Sequence, residues 1–203
     1  MDIKRFTLGE LRVNCYVVHD KEHAYIVDPG YASQDVINYI KENGLNVQFI
    51  YITHGHPDHI GGVDFTNQIF NVPVYAPLKD QWWIQTYAPS KDMHVTVTHW
   101  ISEPFTLTFA NHSLSVYDTP GHSEGSTVLH DEANRYLFAG DTLFFETIGR
   151  TDIPFADKNV LIDAIKRIYE LFPDETVVYP GHGKDTTISH EKNHNPFIRK
   201  GTV

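Results

Sequence analysis

The chain has 203 residues, 41% hydrophobic and 21% charged, which suits one globular domain over 1–203 with a core of its own. Its formal net charge is −10, and its basic residues form only the weak clusters Lys4-Arg5, Lys166-Arg167 and Arg199-Lys200, which argues against nucleic acid as a partner. No run approaches the roughly 18 apolar residues of a membrane helix, and Met1–Leu8 lacks the apolar core of a secretory signal, so a cytoplasmic protein that engages no membrane is expected.

In chain order, Ile3–Leu8, Val13–His19 and Ala24–Asp28 read as strands, rich in β-branched and aromatic residues. Cys15, the only cysteine, lies in the second; it can form neither an internal disulfide nor a thiolate zinc site alone, and is expected to be a buried, inert thiol. Asp28-Pro-Gly30 signals a turn. Ser33 suits a helix N-cap, and Val36, Ile37 and Ile40 keep helical spacing up to Asn43-Gly44. Val47–Ile52 is a continuous apolar strand of the kind buried on both faces. A short helix follows at about Gly61–Phe70, an extended piece at Val72–Pro77, a helix over Leu78–Tyr87, and a loop or lid over Ala88–Glu103. Trp82, Trp83, Tyr87 and Trp100 flank that loop; packing is the first reading and lid aromatics the other.

Phe105–Phe109, Ser113–Asp118, Ser126–His130 and Arg135–Ala139 then read as successive strands. Asp157–Leu171 is the clearest helix, with Val160, Leu161, Ala164, Ile165, Ile168 and Leu171 on one apolar face. Thr176–Tyr179 is a last strand, and a short helix is expected near Ser189–Asn193. Strand runs with a helix in each half suggest two β-sheets packed face to face with helices outside.

Histidine stands out, with 13 residues, and it is the commonest metal ligand. Three fall with an aspartate in Thr53-His-Gly-His-Pro-Asp-His59, directly beyond the end of a buried strand, where binding loops gather. Imidazole nitrogen and carboxylate oxygen are the donor set of zinc and similar ions. His54 and His56 are two apart and point the same way in an extended segment. Pro57 then turns the chain, so Asp58 and His59 can face a second, adjacent point, which suits two metals better than one. Asp118-Thr-Pro-Gly-His122, Phe138-Ala-Gly-Asp141 and Tyr179-Pro-Gly-His182 each deliver one more candidate ligand after a strand and beside glycine. His19, His23, His94, His99, His112 and His130 are expected at the surface or in packing, and His190 and His194 at the surface or in a cap, with lining of the pocket near His182 as the alternative.

His54-x-His56-x-Asp58-His59 with His122, Asp141 and His182 resembles the five-motif pattern of the metallo-β-lactamase superfamily, over nearly the whole chain. The resemblance implies a four-layer αββα sandwich with the site at one edge. It implies that His54, His56 and His122 hold one metal, that Asp58, His59 and His182 hold a second, and that Asp141 bridges both. Asp28 matches an aspartate that orients a ligand histidine; the plainer alternative is a turn-initiating aspartate before proline. Ala139–Phe144 followed by Ile148-Gly-Arg-Thr-Asp152, with Pro180-Gly-His-Gly183 and His194-Asn-Pro-Phe197, resembles the glyoxalase II-like branch in its short bacterial form. Only 21 residues follow His182, so the helical domain that gives full-length glyoxalase II further glutathione contacts is not expected here.

The implied cofactors are two divalent metal ions, zinc foremost, with iron and manganese compatible. The implied reaction is attack of a metal-bridging hydroxide on a small-molecule hydroxyacyl thioester such as S-lactoylglutathione, with Asp58 and Asp141 as the carboxylates at the reacting centre. Arg150 matches a basic residue that approaches glutathione; the alternative is a surface arginine paired with Asp152. A bridging Asp141 argues against β-lactams. The rival readings are a mononuclear iron persulfide dioxygenase, using His56 or its neighbours with His122 and Asp141, and a non-catalytic metal-binding module.

Overall fold

Side chains alternate across each strand, and here the alternation sorts the core into layers. The computed structural model describes residues 1–87 and 95–198. In the first half, β1 (Asp2–Leu8), β2 (Val13–Asp20) and β3 (His23–Val27) form an antiparallel meander. After β3, α1 (Gln34–Glu42) leads to β4 (Asn46–Tyr51), and α2 (Pro57–Ile60) and α3 (Val63–Phe70) lead to β5 (Val74–Pro77). β6 (His99–Ile101) completes a sheet of order β1-β2-β3-β4-β5-β6, parallel from β3 onward. The second half supplies β7 (Phe105–Phe109), β8 (His112–Asp118), β9 (Thr127–Asp131), β10 (Tyr136–Gly140), a small hairpin of β11 (Leu143–Phe144) and β12 (Thr147–Ile148), α4 (Lys158–Leu171), β13 (Val177–Pro180), β14 (Thr186–Thr187) and α5 (Ile188–His194). Its sheet runs β14-β13-β10-β9-β8-β7, with only β10 and β13 parallel.

Cys15, Val17, Ala24, Ile26 and Ile50 face outward from the first sheet onto Val36 and Ile40 of α1. Their neighbours Tyr16, Val18, Tyr25, Phe49 and Tyr51 face inward and meet Phe109, Leu114, Val116, Leu129 and Phe138 of the second sheet. Val128, Leu137, Ala139 and Val178 point out on the far side, against Leu161, Ile165 and Ile168 of α4 and Ile188 of α5. The layers are therefore helix, sheet, sheet, helix, which is the expected αββα sandwich. Each of these large apolar side chains contributes about 1.5–3 kcal/mol by burial. The middle layer is aromatic: Tyr25 stacks on Phe49 at 5.0 Å and meets Phe109 edge-on at 4.7 Å. Cys15 is buried and burial pushes its thiol up, as an inert cysteine requires.

Three expectations need correction. The stretch 88–103 is not all loop, because His99–Ile101 pairs with β5; residues 88–94 lie outside the described ones. Leu78–Tyr87 is a 3₁₀ turn over Leu78–Asp80 and a π-helical turn over Trp83–Tyr87 rather than one regular helix. On α4 the buried stripe is Leu161, Ala164, Ile165 and Ile168, while Val160 and Leu171 flank it and are 41% and 47% exposed. No helix among the described residues is long and apolar enough to cross a membrane.

Candidate metal centre

Five strands end at one edge of the sandwich, and each delivers a polar side chain to the same place. β3 leads into Asp28, β4 through Ile52-Thr53 into His54, β8 through Thr119-Pro-Gly into His122, β10 into Asp141, and β13 through Gly181 into His182. Pro57 opens α2 directly after His56, which places Asp58 and His59 in one tight turn.

All seven expected ligands come together. Ligand atoms of His54, His56 and His122 lie within 4.8 Å of one another, as do those of Asp58, His59 and His182, and those of His54, His59 and Asp141. Asp141 sits between the sets, 3.3 Å from His59 Nε2, 3.4 Å from His122 Nε2 and 3.6 Å from His182 Nε2. The glycine beside the last histidine has a steric reason: a Cβ on Gly181 would stand 2.2 Å from Asp141 Oδ1.

Hydrogen-bond partners decide which ring nitrogens are bare. Asp28 Oδ2 can only accept, so Thr53 Oγ1, 2.7 Å away, donates to it. That uses the one hydroxyl hydrogen, so Thr53 Oγ1 accepts from His54 Nδ1 at 3.0 Å. His122 Nδ1 donates to the Arg150 carbonyl at 2.9 Å. His54 Nε2 and His122 Nε2 are therefore lone pairs, and both face His56 Nδ1, at 3.1 and 2.8 Å. At most one proton is available there for two acceptors. A nitrogen triangle short of protons fits a cation. Burial first, and the neighbouring histidines second, push His54 well below its ordinary value and His56 down to about 4, so both are neutral at pH 7.

The other half is organised by carboxylates. His59 Nδ1 donates to Asp28 Oδ2 at 2.8 Å. Its Nε2 and the facing Asp141 Oδ1 are both buried without a hydrogen-bond partner among the described residues, which again fits an ion between them. Burial alone would lower His59, but Asp141 and Asp28 outweigh it and raise it well above the ordinary histidine range. His182 Nδ1 donates to the Leu11 carbonyl at 3.0 Å, and its Nε2 stands 3.2 Å from Asp58 Oδ2. Burial works against its charged form, and the Asp58 and Asp141 carboxylates raise it nonetheless. Burial likewise opposes charge on Asp141, but His59, His122 and His182 hold it well below the usual carboxylate range. The two readings of Asp28 coexist: it turns the chain at φ 49° and it anchors His59.

The centre opens into a cleft of about 470 Å³, walled by Leu11, Trp83, Phe144, Arg150, Ile153 and Pro154. Trp83 is both packed, at 5% exposure, and part of the wall. Arg150 lines the rim of the cleft, and its guanidinium pairs with Asp152 at 2.9 and 3.1 Å, as the plainer of its two readings has it. His130 is buried against Phe172, and His190 stacks on Phe145 away from the cleft wall. His94 lies outside the described residues.

Two buried carboxylates gave no signal in the sequence. Glu191 accepts from Glu146 N at 3.0 Å, Thr186 Oγ1 at 2.5 Å and Asn195 Nδ2 at 2.9 Å, tying α5 to the hairpin that carries Phe144. Asp80 binds the backbone of the ligand loops. A lone carboxylate outside any motif looks like an ordinary surface residue until its burial is known.

A family model described as the metallo-beta-lactamase superfamily matches residues 8–182. The chain belongs to the metallo-beta-lactamase superfamily. The matched span runs through all seven clustered residues and ends on His182. The hydroxyacylglutathione hydrolase GloC of Haemophilus influenzae is 30% identical, over 98% of each chain. The crystal structure of the B3 metallo-beta-lactamase BLEG-1 superposes with a TM-score of 0.90 at 34% identity, over 98% of this chain and 100% of that one. The crystal structure of TTHA1623 in a di-iron-bound form gives 0.84 at 31% identity, over 96% of this chain and 100% of that one. The protein is thus a metallo-hydrolase of the metallo-beta-lactamase superfamily with a His/Asp metal-binding cluster.

Proposed function

We propose that this superfamily member is a binuclear hydrolase of hydroxyacyl thioesters such as S-lactoylglutathione, loaded with two divalent ions, zinc foremost. The observation that carries the reading is Asp141, which stands within 3.6 Å of ligand nitrogens from both histidine sets. His54, His56 and His122 would hold one ion, Asp58, His59 and His182 the other, and Asp141 both. Ions bound there supply Lewis acidity, which brings the pKa of a water toward neutrality and polarises an acyl carbonyl.

The chain's own residues do the remaining work. Thr53, Asp28 and the carbonyls of Arg150 and Leu11 engage Nδ1 of four histidines and so turn each Nε2 inward. Trp83, Ile153, Pro154 and Leu11 flank the acyl group and limit water, and Arg150 meets the thiol carrier at the rim. Cys15 is buried in the outer layer and serves as no nucleophile. Similarity to GloC supports the thioester substrate. Similarity to a di-iron structure makes iron the second choice of metal, since a nitrogen–oxygen donor set accepts both. Similarity to BLEG-1, described as a B3 metallo-beta-lactamase, favours β-lactams as a second reading.

Zinc-loaded and iron-loaded protein, assayed side by side on S-lactoylglutathione, a chromogenic cephalosporin and glutathione persulfide, separate these. Release of free thiol from the thioester without oxygen uptake is expected, with cephalosporin turnover far slower. Faster lactam cleavage would favour the second reading, and oxygen uptake on the persulfide by a one-iron form would replace hydrolysis with dioxygenation.

A further inference from the structure

Asp80 is fully buried yet stands outside the seven clustered residues. It ends the 3₁₀ turn that follows β5. Its Oδ2 accepts from Gly55 N and from Ser123 Oγ, each at 2.7 Å, and its Oδ1 accepts from Gly125 N at 2.7 Å. Gly55 lies between His54 and His56, and Ser123 directly follows His122. One side chain therefore spans the two loops that present the His54–His56–His122 triangle. The approach is close enough to demand glycine: a Cβ on Gly125 would stand 2.6 Å from the Asp80 carboxyl carbon. Ser123 is itself fixed, sharing a 2.7 Å hydroxyl contact with Ser126. No lysine or arginine among the described residues pairs with Asp80, so three hydrogen-bond donors do most to offset the cost of burying it.

We propose that Asp80 is a positioning residue for one half of the metal centre: it sets the spacing of His56 and His122, whose facing nitrogens stand 2.8 Å apart, and thereby the affinity of that half alone. The Asp58–His59–His182 half hangs on Asp28 and the Leu11 carbonyl, neither of which is a hydrogen-bond partner of Asp80. The inference rests on the metal-binding reading of the centre and not on the identity of the substrate.

The test is zinc titration of the metal-free full chain against a chromophoric chelator. In Asp80→Asn an amide NH₂ replaces one acceptor oxygen and faces an N–H donor, so one bond is lost and the overall shape is kept. Wild type is expected to bind about two ions. Asp80→Asn is expected to weaken one binding step roughly 10- to 100-fold, the usual effect of losing a group that holds ligands in place, and to leave the other step unchanged. In a His122→Ala background, where that half is already gone, Asp80→Asn should add nothing. Wild-type affinities in Asp80→Asn, equal weakening of both steps, or further weakening in the His122→Ala background would each overturn the proposal. If the metal-free Asp80→Asn chain melts below the assay temperature, Ser123→Ala takes its place, with the same one-step weakening expected at smaller size and unchanged affinities overturning it. A wild-type chain that takes up no zinc refutes the metal reading itself.

Discussion

A histidine ligates a metal through a nitrogen that carries no proton, so its other ring nitrogen decides its use. In this centre Thr53, Asp28 and two backbone carbonyls make that choice for His54, His59, His122 and His182. The electrostatics then divide the histidines by sign. His54 and His56 lie below the ordinary value and are neutral at pH 7. His59 lies well above it and keeps its proton at pH 7 until an ion displaces it. In the metal-free fold, the stability that His59 contributes is complete below the unfolded value of about 6.5 and is lost as pH rises through its folded value. His56 runs the other way: its contribution is present above about 6.5 and is lost as pH falls toward about 4. Zinc loading at pH 7 is therefore expected to release at least one proton per chain. Calorimetric titration in buffers of different ionisation heat reads this directly, and an enthalpy independent of buffer would contradict the assignment. All seven clustered residues were legible in the sequence, because each follows a strand within a recognisable motif. Asp80 and Glu191 were not, because burial gives a single carboxylate its role and burial has no local signature.

Elements with a strong period were legible, and short ones were not. α4 declares itself through the stripe Leu161, Ala164, Ile165 and Ile168 and through Asp157, whose Oδ1 accepts from Asn159 N at 2.8 Å and Val160 N at 3.1 Å. Losing that cap in Asp157→Ala is expected to cost about 1 kcal/mol and to lower Tm by about 2–4 °C, with zinc content unchanged. Thermal melting with parallel metal analysis checks it; loss of metal would show that the helix start also organises the site. β6, β11, β12 and β14 have two or three residues each, too few for any alternation to show, and exist because a longer strand or partner pairs with them. The helical expectation over Leu78–Tyr87 failed for a related reason. There Asp80 turns inward to the ligand loops and Trp83 to the cleft, so tertiary contacts override local spacing.

At the scale of the molecule, two sheets bury an aromatic layer between them and end together at one edge. Strand runs with a helix in each half were enough to expect two sheets with helices outside; that Tyr16, Tyr25 and Tyr51 all fall on the inward face appears only in the structure. That five strand ends converge on one point is a long-range fact, carried in the sequence only by the spacing of whole motifs. Asp141 is where the two halves of the centre meet, so the most direct measurement is elemental analysis of the zinc-loaded wild type beside Asp141→Ala. About two ions per chain are expected in the wild type, with metal lost from both halves in the variant. One ion in the wild type, or two in Asp141→Ala, would contradict a centre built on a shared aspartate.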